Sequence, residues 1–205
     1  MRIFKWPTDK PLPEEFLAEM KPVTDSGGVL VYPTSTLYGL GASIRSRAGI
    51  GAVLAIKSRP AGMPLTVMAS PIQLKSVCRV TETYAPFLKS HDNRVTAVLP
   101  ALDTAPEELV HEGTLAVRLP CSELTSSLVE VVGPVTSTSA NPHGQPTPPD
   151  IESIVGILGK AVRVYIDSGR LEGLPTTLID FTGKKPKILR EGALSREEME
   201  RIHGR

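Results

Sequence analysis

TLAVRLPCSELTSSLVEVVGPVTSTSAN, residues 114–141, decides the fold. It opens on an apolar, β-branched run that ends at Pro120. Ser122 then stands where a helix N-cap belongs, Leu124, Leu128 and Val129 recur at helical spacing, and Gly133 stops the helix. VTSTSA follows as a second strand. Strand, helix and strand within 28 residues mark an α/β chain. The polar content sits at the strand ends, with Thr114, Ala116 and Arg118 on one face of the first strand because side chains alternate. On the last strand the same alternation turns Ser137, Ser139 and Asn141 toward one cleft.

The pattern continues outward in both directions. MRIFKW, VLVYP, LTVMA, VTAVLPA, VRVYID, TTLID and PKILRE read as strands. PEEFLAEMKPVTDSGG, SRAGIGAVLAIKSR, SPIQLKSVC, TETYAPFLKS and PDIESIVGILG read as helices, with Pro22 expected to bend or end the first and Ser70 and Pro71 opening the third. About eight strands and five or six helices give a single α/β domain with a twisted, mixed sheet flanked by helices. The expected limits are residues 10–195, with 196–205 as a charged tail forming a short surface helix. PTSTLYGLG, residues 33–41, reads as a strand end followed by a glycine-assisted turn.

Composition narrows the function. A formal net charge of +1 over 205 residues supplies no global basic field for nucleic acid or an anionic membrane. No apolar run reaches the ~18 residues of a membrane span, and the N-terminus lacks a signal-peptide core. Two distant cysteines, Cys78 and Cys121, suit a reducing cytoplasm, though they are enough for one disulfide. A cytoplasmic location is expected. No phosphate-loop motif, nucleophile elbow, HExxH or metal-spaced Cys/His set occurs. The four histidines are scattered and read as surface residues. An enzyme built from this chain works by positioning reactants and neutralising charge, not through a covalent nucleophile.

What remains is a series of cations and hydroxyls at element ends: Thr34, Ser35 and Thr36; Lys57 and Arg59 in KSRP; Arg118; Ser137, Ser139 and Asn141; Thr176 and Thr177; and Arg190. Each has an ordinary structural use, such as a helix C-terminus, a turn or a surface pair. Together, without neighbouring acids, they suit a polyanion, Arg binding as a planar fork and Lys as a point charge.

VLVYPTSTLYGLGA, AIKSRPAGMPLTVM, TLAVRLP, VTSTSANPHGQPTP, TTLID and KILREGAL, in this order, resemble the YrdC-like domain family of TsaC-type threonylcarbamoyl-AMP synthases. The resemblance spans roughly residues 10–195. It implies one α/β domain around a large, positively charged concave cavity. It also implies a reaction that joins L-threonine, bicarbonate and ATP into threonylcarbamoyl-adenylate and pyrophosphate. ATP is then a substrate, accompanied by Mg²⁺ held mainly through phosphates and water. The resemblance implies a partner complex that moves the threonylcarbamoyl group to adenosine 37 of tRNA. By position, Lys57 and Arg59 carry the catalytic charge. Lys57, Arg59, Met63, Thr114, Ser139, Asn141, Thr147 and Arg190 face ATP, and Thr36, Arg118, Ser137 and Thr176 face threonine. No metal ligand is assigned. Ser35 replaces a usual acid, Met68 a usual histidine, and Pro175-Thr176-Thr177 a usual Glu-Ser-Thr. The last pattern is shared with a YciO-like branch, and the alternative functions are YciO-like binding of double-stranded RNA or tRNA, or a related adenylate-forming reaction on another substrate.

Overall fold

The computed structural model describes residues 1–58, 65–90 and 93–203. In chain order the elements are β1 (Arg2–Lys5), α1 (Glu14–Asp25), β2 (Leu30–Pro33), β3 (Tyr38–Gly41), α2 (Arg47–Lys57), β4 (Val67–Met68), α3 (Pro71–Leu74), α4 (Ala85–Ser90) and β5 (Val95–Pro100). Then come β6 (Thr114–Arg118), α5 (Glu123–Val132), β7 (Val135–Thr136), β8 (Thr138–Ser139), α6 (Ile151–Leu158), β9 (Val164–Asp167), β10 (Thr177–Asp180), β11 (Lys187–Arg190) and α7 (Arg196–His203).

The mixed sheet is divided in two. Its halves run β1-β9-β2-β3-β8 and β11-β10-β5-β6-β4-β7, each with parallel and antiparallel pairs. The split falls inside VTSTSA, which was expected as one strand. Val135–Thr136 pairs with β4 in the second sheet, and Thr138–Ser139 pairs with β3 in the first. Ser137 is the crossing point, its N–H donating to Thr66 O at 2.6 Å. Thr136 fastens the seam further. Its Oγ1 accepts from Ala42 N and its carbonyl accepts from the Tyr32 hydroxyl. A Cβ on Gly41 would stand 2.6 Å from that same carbonyl, so the close approach of β3 to β7 requires glycine there.

This also explains β3, which the sequence does not announce. YGLG has poor strand propensity, and pairing on both sides overrides it. The turn before it is closed by Thr34, whose Oγ1 lies 2.6 Å from Leu37 O and accepts from Thr36 N and Leu37 N at 3.3 Å. Pro22 does not end α1, which runs three residues further. Thr24 Oγ1 donates to Met20 O and Lys21 O there, supplying carbonyls of the last turn with a donor. Ser70 and Ser122 both cap as expected, each within a reciprocal capping box, a feature worth ~1 kcal/mol apiece.

Alternation along β2 builds the core. Val31 faces one buried cluster with Ile50 and Val53 of α2 and Ile154 of α6; Leu30 and Tyr32 face another with Phe16, Leu17 and Met20 of α1 and Leu128 and Val129 of α5. At the C-terminus, Leu194 and Met199 are buried in the first cluster. Glu198 fixes α7 in place: Arg94 Nη1 donates to Oε1 at 2.7 Å and Ser195 N donates to Oε2 at 3.0 Å.

These two donors, Arg94 above all, hold the Glu198 carboxyl down from an ordinary 4.5 to about 2. A depressed carboxyl pKa adds stability above the ordinary value and loses it as pH falls toward the folded one. Glu198→Gln is therefore expected to melt below the parent protein near neutral pH. The difference in Tm should narrow once pH drops under 4.5 and close near 2. Thermal unfolding across that range checks it.

Candidate functional site

A cavity of about 770 Å³ opens between the two sheets. The register of the second sheet lays out its floor. Arg118 of β6 lies beside Thr96 of β5, Thr96 pairs with Leu178 of β10, and Leu178 with Arg190 of β11. One row further, Ala116 pairs with Val98, and Val98 with Asp180. All seven line the cavity, as does Thr114 at the next step along β6. Three strand spacings separate the two arginine positions, roughly 14 Å between Cα atoms. The opposite wall comes from Thr36, Leu37, Tyr38 and Gly39 at the β2–β3 hairpin, and the seam residues Ser137, Thr138, Ser139 and Asn141 with Thr147 close it.

Nine of the positions expected to touch substrate thus converge: Thr36, Thr114, Arg118, Ser137, Ser139, Asn141, Thr147, Thr176 and Arg190. Lys57 is placed differently. It is 2% exposed and stands behind the wall, where its Nζ lies 2.8 Å from Ser139 O, 3.3 Å from Ser139 Oγ, 2.6 Å from Asn141 O and 2.8 Å from Asn141 Oδ1. The next link is the Asn141 side-chain amide, which donates to Gln145 O and draws Gln145, Pro146 and Thr147 against the cavity. Arg59 and Met63, expected at the nucleotide, lie outside the described residues. The sequence did not single out Thr96, Val98, Leu178, Asp180 or the His111–Glu112 turn as cavity residues. The signal that would have found the first four is the pair of positions opposite Arg118 and Arg190, Thr96 and Leu178, followed by a count of two residues forward along β5 and β10. His111 is exposed, as expected, and sits on the rim.

Two atoms in this cavity stand out. Among the described residues, Arg118 Nε and Ser137 Oγ are buried without a hydrogen-bond partner. Arg118 is 6% exposed and donates through Nη2 to Ser35 Oγ at 3.3 Å, and no carboxylate among the described residues pairs with it. A buried guanidinium without a counter-charge costs several kcal/mol, so the arrangement is built to receive an anion. A carboxylate fits, since its two oxygens match a guanidinium edge. At the other end Arg190 Nη2 donates to Thr176 O at 3.0 Å, and Thr176 and Thr96 share a hydroxyl hydrogen bond of 2.6 Å. Gly192 allows this closeness, because a Cβ there would collide with the Pro175 and Thr176 backbone. Tyr38, at the wall, has its phenol pushed up to about 12 by burial and donates to Gly169 O at 2.6 Å. It is a neutral strut, not a base.

Comparison with known proteins shows the family and the fold. The Sua5/yciO/yrdC family, described as telomere recombination, matches residues 23–192. A threonylcarbamoyl-AMP synthase of Pyrococcus abyssi is 32% identical over 184 residues, 87% of this chain and 54% of the relative. The YciO protein of Escherichia coli is 31% identical over 176 residues, 83% of this chain and 85% of the relative. The structure of P. abyssi Sua5 complexed with L-threonine superposes with a TM-score of 0.87 at 29% identity, covering 98% of this chain and 60% of that one. E. coli YciO superposes with a TM-score of 0.86 at 28% identity, covering 96% of this chain and 98% of that one. The chain thus spans little more than half the length of the archaeal relative.

The Lys57 contacts predict that Lys57→Met, which keeps the apolar stem, strands acceptors of Ser139 and Asn141. Stability should fall by about 2–3 kcal/mol. Amide exchange over residues 139–145 should accelerate while β5 and β6 stay protected. Denaturant unfolding and hydrogen exchange measure the two effects.

Proposed function

The chain belongs to the Sua5, YciO and YrdC family, and from that premise we propose that it is an ATP-dependent threonylcarbamoyl-AMP synthase. Its substrates are L-threonine, bicarbonate and ATP. The threonine amine and bicarbonate combine with loss of water into a carbamate. A carbamate oxygen then bonds to the α-phosphorus as the bond to the β-phosphate bridge breaks, releasing pyrophosphate. The nucleophile belongs to the substrate, which accounts for a cavity rich in hydroxyls and cations and poor in general bases.

The observation that carries this reading is a pair of buried atoms without a hydrogen-bond partner among the described residues, Arg118 Nε and Ser137 Oγ, in the same hollow as Arg190. Arg118 takes the threonine carboxylate as a planar fork, with Ser137, Thr36 and Thr176 around the amino acid. Arg190, Thr114, Ser139, Asn141 and Thr147 face the nucleotide. Lys57 acts through Ser139 and Asn141, fixing their positions and adding positive charge behind them. Among the described residues no group of three His, Cys, Asp or Glu is placed to hold a metal. Mg²⁺ therefore fits this site as an ion carried by triphosphate oxygens and water, where it neutralises phosphate charge. The product is a mixed anhydride that hydrolyses unless an acceptor takes the acyl group. A transferase complex acting on tRNA is the fitting consumer. No helix among the described residues is long and apolar enough to cross a membrane.

Pyrophosphate release that depends on both threonine and bicarbonate tests the assignment; release indifferent to threonine would sink it. Arg118→Lys keeps the charge and loses the fork, so the threonine KM should rise about tenfold or more while the ATP KM changes little.

A further inference from the structure

The cavity floor is not uniformly cationic. Beyond the row that holds Arg118 and Arg190 lies a strip of a different character. Val98 and Ala116 face each other across β5 and β6, Leu178 stands diagonally beside Val98, and Leu189 of the edge strand β11 lines the same hollow. Leu189 is 48% exposed, an apolar side chain left at the edge of a polar cavity. At the end of this strip, directly opposite Val98, is Asp180.

Asp180 is held in one orientation. Its Oδ1 accepts from Thr182 N at 2.8 Å and from Thr182 Oγ1 at 2.7 Å. Its Oδ2 has no hydrogen bond or ion pair among the described residues. An oriented carboxylate with one unused oxygen is a fixed acceptor. The four apolar neighbours are poor company for a hydrated cation or for phosphate. They suit the flat face of a heterocycle, while the carboxylate suits a neutral donor carried with it.

Resting on the reading above, we infer that Val98, Ala116, Leu178 and Leu189 form the nucleoside end of the site, and that Asp180 accepts a hydrogen bond from that nucleoside. The strip takes the base face. Asp180 Oδ2 takes either the exocyclic amine of the base or a ribose hydroxyl. The charge arrangement follows from this role: a carboxylate near a triphosphate repels it, and at the neutral end of the nucleotide that repulsion is least. Asp180 then serves selection between nucleotides, and the phosphate grip stays with the cations.

The test is calorimetric binding of ATP, inosine triphosphate, 2′-deoxy-ATP, 3′-deoxy-ATP and inorganic tripolyphosphate. It compares the parent protein with Asp180→Asn and with Leu189→Gln, the latter at an exposed position that leaves the core intact. Asp180→Asn should weaken ATP about tenfold and leave tripolyphosphate unchanged or slightly tighter. Leu189→Gln should weaken ATP but not tripolyphosphate. If the donor is the base amine, the parent discriminates against inosine triphosphate and Asp180→Asn does not. If it is a ribose hydroxyl, one of the deoxy analogues takes that place. The inference is overturned if Asp180→Asn weakens ATP and tripolyphosphate alike, or if every discrimination survives it. It is equally overturned if the Asp180→Asn effect vanishes in EDTA, which would assign the carboxylate to the metal. ATP binding with intact discrimination in Asp180→Asn defeats this inference alone; a parent protein that binds none of the nucleotides defeats the synthase reading with it.

Discussion

A single buried ammonium holds the cavity in shape. Lys57 ends α2, yet its Nζ reaches the carbonyls of Ser139 and Asn141, which lie where the chain has just crossed between the sheets. Burying a lysine is expensive unless its charge is surrounded by acceptors. Here two of the acceptors are backbone carbonyls, so the ammonium and the local chain path specify each other. The consequences spread from there. The 139–145 loop is tightened, Asn141 passes the constraint to Gln145, and Thr147 is brought to the wall. The seam at Ser137 is pinned from the other side by Thr66, Ala42 and Tyr32. Helix α2, the two sheets and the seam are thereby made one rigid object around a hollow that none of them would enclose alone.

That rigidity matters because the chemistry asks for little else. In the proposed reaction, where substrate supplies the nucleophile, rate enhancement comes from holding two anionic partners at a productive separation and from charge placed in advance. The roughly 14 Å between the Arg118 and Arg190 positions is set by hydrogen-bonded strand spacing, a quantity that thermal motion hardly alters. Thr96 and Thr176 lie between them with hydroxyls already bonded to each other. A site assembled on one face of a sheet inherits the precision of the sheet.

Legibility in the sequence followed the same division. Elements whose information is local were readable: the Ser70 and Ser122 caps, the Gly133 and Gly159 stops, and the alternation that put Thr114, Ala116 and Arg118 on one face. So were the cavity residues carried by recognisable blocks. What escaped is set by long-range pairing. Nothing within VTSTSA says that its halves belong to different sheets; that depends on Ala42, Thr66 and β3 being where they are. YGLG becomes a strand only because partners exist on both edges. Thr96 and Asp180 acquire meaning only through register with Arg118 and Val98, and register is a property of pairs of strands.

Two of the departures from the usual family pattern, Ser35 and Met68, take on physical sense beside Arg118. Ser35, in place of an acid, accepts from Arg118 Nη2 at 3.3 Å, and Ser35 Oγ lies 3.5 Å from Asn93 O. A neutral hydroxyl orients the guanidinium without cancelling its charge. A carboxylate at that distance would be its ion-pair partner and would compete with any anionic ligand. Met68, in place of a histidine, pairs in register with Arg118 but packs into the second core cluster with Leu124, Val129 and Val135. At this register position it sets neither a charge nor an imidazole beside the arginine strand. Both substitutions push in one direction: they leave the Arg118 charge undivided, so a ligand's anion is the group that completes it.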